Sequence, residues 1–191
     1  MTTAAPIGRV VATELRPSTP HQFQFRANPD APVGIGAIVR VDVPGRVVYG
    51  TVVDGAAWLE YPEALQAAAD DRGSPLPGPG AVQPETVRLY TAAVLRQLPE
   101  EPMQPVPPGD VRLADDTDVA TALRMDAYAG ESGTGIPVGV YGRGAGGAPV
   151  FLDCDFLLGP EAAHCTITGV SGLATKTSAV LFLLSSVFQR F

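Results

Sequence analysis

Lysine is almost absent from this chain. Among its 13 basic residues, Lys176 is the one lysine and the rest are arginines. Cysteine is nearly as scarce: Cys154 and Cys165 lie eleven positions apart, with no second pair and no Cys-x-x-Cys spacing. A disulfide, a zinc site and a redox dithiol stay open on two cysteines, and buried free thiols fit them best. Long apolar runs are missing too. The longest, Ala179 to Leu184, falls far short of the ~20 residues that a membrane-spanning helix needs. Met1 is followed by Thr2-Thr3-Ala4-Ala5-Pro6, which has neither a basic region nor an apolar core, so no secretory signal is expected. The expectation is a cytoplasmic protein with no membrane partner.

Charged residues make up only 17% of the chain and leave a formal net charge of -7. Nucleic-acid affinity depends on cations that neutralise phosphates, so this balance opposes a broad DNA-binding surface. Any DNA contact is expected from segments outside these residues. What the chain does have is 46% hydrophobic residues, 21 glycines and 19 prolines, a globular composition rich in turns. Its 191 residues suffice for one large domain, or for a small domain and part of a second.

Short β-like runs punctuate the first hundred residues. Gly8 to Leu15 is rich in β-branched residues, Gln22 to Arg26 alternates strictly, and Ile38 to Val43 alternates from Val39 onward. Pro44-Gly45 joins the last of these to Val47–Val53 as a hairpin, and Val87 to Leu95 adds a further run. Five or so short strands with Gly/Pro turns predict a small closed or partly closed barrel, because closure removes exposed edges. Between them, Tyr61 to Ala69 has a proline placed for a first helical turn and predicts a short helix. Asp70 to Glu85, broken by prolines and glycines, reads as a mobile surface loop, with a partner-docking extended segment as the alternative.

A second proline-rich stretch, Pro99 to Gly109, reads as a semi-rigid connector that holds two folded parts apart. Thr117 or Asp118 is expected to cap a short helix reaching Met125, with Asp115 and Asp116 near its positive end. Ile136–Tyr141 and Val150–Asp153, flanking Gly142 to Gly147, predict a hairpin. Ala163 to Thr168 predicts a strand that feeds a glycine-bearing loop.

That loop reads Gly169-Val170-Ser171-Gly172-Leu173-Ala174-Thr175-Lys176-Thr177-Ser178. A glycine-bearing turn ending in Lys-Thr, between a predicted strand and an apolar helix, is the chemistry of a phosphate-cradling loop. Glycines let backbone N–H groups turn toward phosphates, the lysine meets the terminal phosphates, and a hydroxyl on the first helical turn ligates the nucleotide's magnesium. Lys176 and Thr177 stand in those places. The usual spacing is a glycine, four residues, then Gly-Lys-Ser/Thr. Here six residues separate Gly169 from Lys176, and Ala174-Thr175 replaces the glycine before the lysine. The alternative reading is a glycine-rich β-to-α turn with a surface lysine. The absence of companion lysines favours the phosphate loop.

Gly8–Glu14, Arg16–Phe25, Gly36–Val39 and Val48–Val53 resemble the N-terminal barrel of HerA-like ATPases. Ile136–Gly139, Val150–Asp153 and His164–Gly172 resemble the entry to that family's RecA-like motor domain. The resemblance implies a mixed β and α/β chain: a barrel over 1–98, a proline-rich connector and short helix over 99–135, and over 136–191 the N-terminal part of an incomplete RecA-like P-loop domain. It implies ATP and Mg2+ as cofactors, with Gly169, Gly172, Lys176 and Thr177 at the matched positions and the metal reached by Thr177. It implies a homo-hexameric, ATP-driven DNA translocase working with a nuclease or an antiphage-defence effector. The extended loop is similar to a variant branch of the family.

The acidic strand end and arginine finger of such motors lie downstream of the loop. The resemblance therefore places them beyond Phe191, no catalytic residue is assigned within these residues, and the chain alone is expected to be inactive. Asp153 and Asp155 read as turn or hydrogen-bonding residues rather than metal ligands, and His21 and His164 as structural histidines. Val180–Leu184 with Val187 and Phe188 puts large apolar groups around most of the last helix. That pattern suits burial on several sides, by further chain or a second polypeptide. The alternative function is a non-catalytic assembly module that binds nucleotide weakly or not at all.

Overall fold

The computed structural model describes residues 5–60, 85–129, 133–142, 147–159, 165–170 and 175–190. The expected helix over 61–69 and the loop over 70–84 lie outside them. The chain divides into two compact units, Met1–Ala114 and Asp115–Phe191.

The first unit is a closed antiparallel barrel. Its strands are β1 (Gly8–Val11), β2 (Gln22–Ala27), β3 (Ile38–Val43), β4 (Arg46–Glu60), β5 (Glu85–Leu98) and β6 (Asp110–Leu113). They close in the order β1-β2-β5-β4-β3-β6. Alternation decides which side chains point inward: Phe23, Phe25 and Ala27 of β2 are buried while Gln22 and Arg26 face out. With Val39, Val41, Val48, Val52, Ala92 and Val111 they form the core. The rings of Phe25 and Tyr90 stack at 5.6 Å. The Pro44-Gly45 turn forms as the sequence predicts, with Gly45 at φ 73° and Val43 paired with Arg46; a Pro-Gly pair places glycine where positive φ is needed.

Three expectations for this unit are corrected. β1 ends at Val11, because Thr13 and Arg16 exchange backbone hydrogen bonds in a tight turn that leaves Leu15 94% exposed. Glu85, expected to end the loop, instead begins β5. Pro99 to Gly109 is no spacer, for Val106 within it is buried in the barrel core and the Gly109 carbonyl accepts from the Val10 N–H. The chain then enters β6, which pairs with both β1 and β3 and closes the barrel. The barrel thus extends to Leu113, past the expected end at residue 98.

The second unit contains helices α1 (Asp116–Ala122), α2 (Met125–Tyr128), α3 (Cys154–Leu158) and α4 (Thr175–Arg190), with an antiparallel pair β7 (Gly135–Tyr141) and β8 (Ala148–Asp153). Asp115, rather than Thr117 or Asp118, caps α1. Its Oδ1 accepts from the Asp118 N–H at 2.8 Å, and the Asp118 carboxylate accepts from the Asp115 N–H in return. Ile136 of β7 is fully buried. At Gly135 any Cβ would meet Tyr128 at 2.6 Å and the Phe151 ring at 2.9 Å, so only glycine lets α2 approach the hairpin so closely.

The expected strand over Ala163 to Thr168 does not form where it is described: Cys165 to Thr168 has no regular secondary structure and joins no ladder. A strand persists through its hydrogen-bonded neighbour, and β7 and β8 pair only with each other among the described residues. The fold class established is therefore mixed β and α: a closed six-stranded barrel, a small two-stranded antiparallel sheet and a few helices. Among the described residues no helix is long and apolar enough to cross a membrane.

Candidate functional site

The predicted loop leads from an irregular segment into the first turn of α4. Gly169 and Val170 lie in that segment, while Thr175, Lys176, Thr177 and Ser178 open the helix. Ser171, Gly172, Leu173 and Ala174 fall outside the described residues. Across that interval the ends meet: the Lys176 ammonium donates a hydrogen bond to the Gly169 carbonyl oxygen at 3.0 Å. A Cβ at Gly169 would lie 2.9 Å from Thr175 Oγ1 and 3.3 Å from Lys176 Cγ. Glycine is therefore what lets this segment pass so close to the helix start.

The helix forms here because the residues after Lys176 run Thr-Ser-Ala-Val-Leu-Phe-Leu-Leu, without glycine or proline, for four turns. Its half-buried positions Lys176, Ala179, Leu183, Val187 and Arg190, with buried Ser186, fall along one face, and the helix lies against β7. At its far end Arg190 donates to the Gly133 carbonyl at 3.3 Å, tying α4 to the chain that enters β7. The opposite face is open among the described residues, with Leu181 61% and Phe188 80% exposed.

Chemically, the arrangement gathers donors. The first-turn N–H groups of a helix have no intrahelical acceptor and carry partial positive charge. Thr175, Thr177 and Ser178 are exposed beside them. An ammonium has three N–H bonds, and among the described residues the Gly169 carbonyl takes one of them. Thr177 occupies the first turn, where a magnesium-directed hydroxyl is expected. Gly169, Lys176 and Thr177 are thus brought together at one helix start.

The remaining candidates have structural tasks. Asp153 caps α3: its Oδ1 accepts from the N–H of Asp155 at 3.0 Å, from that of Phe156 at 3.4 Å and from Thr134 Oγ1 at 3.2 Å. His21 accepts the Val94 N–H through its backbone carbonyl, and His164 lies outside the described residues. Both cysteines are free thiols, but neither is buried as expected, Cys154 being half-buried and Cys165 exposed. The exposure of Cys165 reflects the missing ladder around it. No group of three or more His, Cys, Asp or Glu side chains suited to a metal ion occurs among the described residues.

Sequence reasoning missed the bond from Lys176 to Gly169 and the anchor from Arg190 to Gly133. The one available signal for the first was the glycine preceding the gap. Compared with models of known protein families and with curated proteins, the chain matches none.

Proposed function

We propose that this chain is the N-terminal part of a HerA-like, ATP-driven DNA translocase, with its barrel serving ring assembly and the segment from Gly135 onward opening a RecA-like nucleotide-binding domain. The observation that carries the reading is the position of Lys176. The chain's one lysine stands on the first turn of a helix, its ammonium hydrogen-bonded to the Gly169 carbonyl. That is the place a phosphate-binding cation must take for helix N–H groups and ammonium to converge on one anion.

The residues fit magnesium nucleotide in kind. Gly169 lies against the helix start, where an added Cβ would be 2.9 Å from Thr175 Oγ1, Lys176 and the first-turn N–H groups would hold phosphate oxygens, and the Thr177 hydroxyl would face the metal. ATP would supply the phosphoryl group whose hydrolysis drives translocation. In this reading the protein assembles as a hexamer, DNA is gripped by segments outside these residues, and a nuclease or a defence effector acts beside the ring.

A second reading is favoured by a specific observation: the barrel closes on itself and is a complete fold, while the loop departs from the usual phosphate-loop spacing. In that case the protein is a non-catalytic assembly module that binds nucleotide weakly or not at all. Calorimetric titration with ATP in the presence of magnesium separates the two. Saturable binding supports the translocase, and the lack of ATP or ADP binding at millimolar ligand sinks it in favour of the module.

A further inference from the structure

Asp54-Gly55 is the sole Asp-Gly pair in the sequence, and the sole asparagine, Asn28, precedes a proline. We propose that the Asp54–Gly55 peptide bond is a site of spontaneous covalent modification, where a succinimide forms and reopens to an isoaspartyl linkage. The geometry supplies the reacting partners. The Gly55 N–H donates to Asp54 Oδ1 at 2.8 Å, so the nitrogen that must attack is in contact with the carboxyl group whose carbon it must reach. Both residues are exposed. They come directly after an irregularity in the β4–β5 pairing between Val52 and Asp54, where a bulged strand loosens its ladder. Gly55 has no Cβ to obstruct ring closure.

The step balances without a co-reactant. The Gly55 amide nitrogen gives up its proton and bonds to Asp54 Cγ, and the carboxyl oxygen departs as water, leaving a five-membered imide. Water then reopens the imide at one of its two carbonyls. Attack at the backbone carbonyl routes the main chain through Cβ and frees an α-carboxylate, whereas attack at Cγ restores aspartate. The isoaspartyl product has the mass of the original chain and one extra backbone atom. That atom lengthens the main chain just before the segment Gly55 to Glu60, which pairs with Tyr90 to Glu85, and so misaligns the ladder hydrogen bonds there.

The labile pair is fixed by packing on its other side. A Cβ at residue 55 would lie 2.7 Å from Tyr90 Cδ1. Tyr90 is itself held by its stack on Phe25 and by its hydroxyl, which donates to the Val33 carbonyl at 3.2 Å. A bulkier residue that would slow the ring closure has no room.

The test is to age the folded chain at physiological temperature beside a urea-unfolded sample and to map isoaspartate by resistance to aspartate-specific proteolysis. Expected is isoaspartate at residue 54 forming in the folded chain as well as in the unfolded one, since the pair is exposed and its reacting groups are in contact. Isoaspartate that appears in the unfolded sample alone overturns the proposal. Asp54→Glu, which lengthens the side chain at an exposed position and would need a six-membered ring, is expected to abolish the product at this site. Isoaspartate persisting in that peptide of the variant overturns the assignment as well.

Discussion

Arg46 and Gln97 fasten the proline-rich segment to the barrel. Arg46 Nη1 donates to Gln97 Oε1 at 3.1 Å, and Arg46 Nη2 donates to the Pro105 carbonyl at 2.9 Å. Gln97, 4% exposed, donates in turn to the carbonyls of Gln104 at 3.2 Å and Pro20 at 3.3 Å. Pinned this way, the segment delivers Val106 to the core and β6 to its two neighbours. Gln97 makes three such bonds, each worth about 0.5–1.5 kcal/mol. Gln97→Ala is therefore expected to lower barrel stability by about 1–3 kcal/mol, read as a lower urea midpoint. Because the two residues share partners, Arg46→Ala with Gln97→Ala should cost less than the sum of the single changes; additive losses would show that the two act separately.

Gly50 lets the Phe23 ring cross β4. A Cβ there would sit 2.9 Å from Phe23 Cε1 and 3.0 Å from the Ala93 carbonyl oxygen, and neither can retreat inside a closed core. Gly50→Ala is expected to destabilise the barrel by about 1–3 kcal/mol through overpacking. Gly34→Ala is the control, since nothing lies within 4 Å of the added methyl. Equal thermal unfolding of the two variants would refute the tight crossing.

Asp115 starts α1. Replacing it with alanine removes the acceptor for the Asp118 N–H and one half of the capping box, at a cost of about 0.5–2 kcal/mol. Asp115→Asn keeps an acceptor and should restore most of the loss. Hydrogen exchange over Asp116–Ala122 reads the effect, and unchanged protection in Asp115→Ala would contradict the cap.

The acidic balance sets the expected behaviour toward DNA. With a net charge of -7, residues 1–191 should bind duplex DNA weakly, because the summed field repels phosphates. Fluorescence anisotropy checks this at low salt. Tight binding that falls steeply with added salt would instead place a basic channel among the arginines.

Much of the barrel was legible because its strands carry their own signals. Phe23 and Phe25 alternate with polar neighbours, and Pro44-Gly45 announces a hairpin without any tertiary information. β6 was not legible. It has four residues, comes after a run of prolines, and is a strand by virtue of β1 and β3 on either side of it. The same dependence on neighbours misled in the opposite direction at Cys165 to Thr168, whose β-branched residues find no ladder among the described residues. For the candidate site, Lys176 and Thr177 could be placed on a helix's first turn from Lys-Thr preceding an unbroken apolar run. The return of the lysine to Gly169 could not be read, since it depends on how the chain closes between them.

The most direct test of the central claim is the effect of Lys176→Ala on magnesium-ATP affinity, measured by calorimetry in the protein that binds it. A charge-assisted contact is worth about 1.5–3 kcal/mol, so the variant is expected to bind roughly ten- to more than a hundredfold more weakly. The barrel, whose core contains no residue of this loop, should unfold as before. Affinity unchanged by the substitution would contradict the assignment of Lys176 to the phosphates.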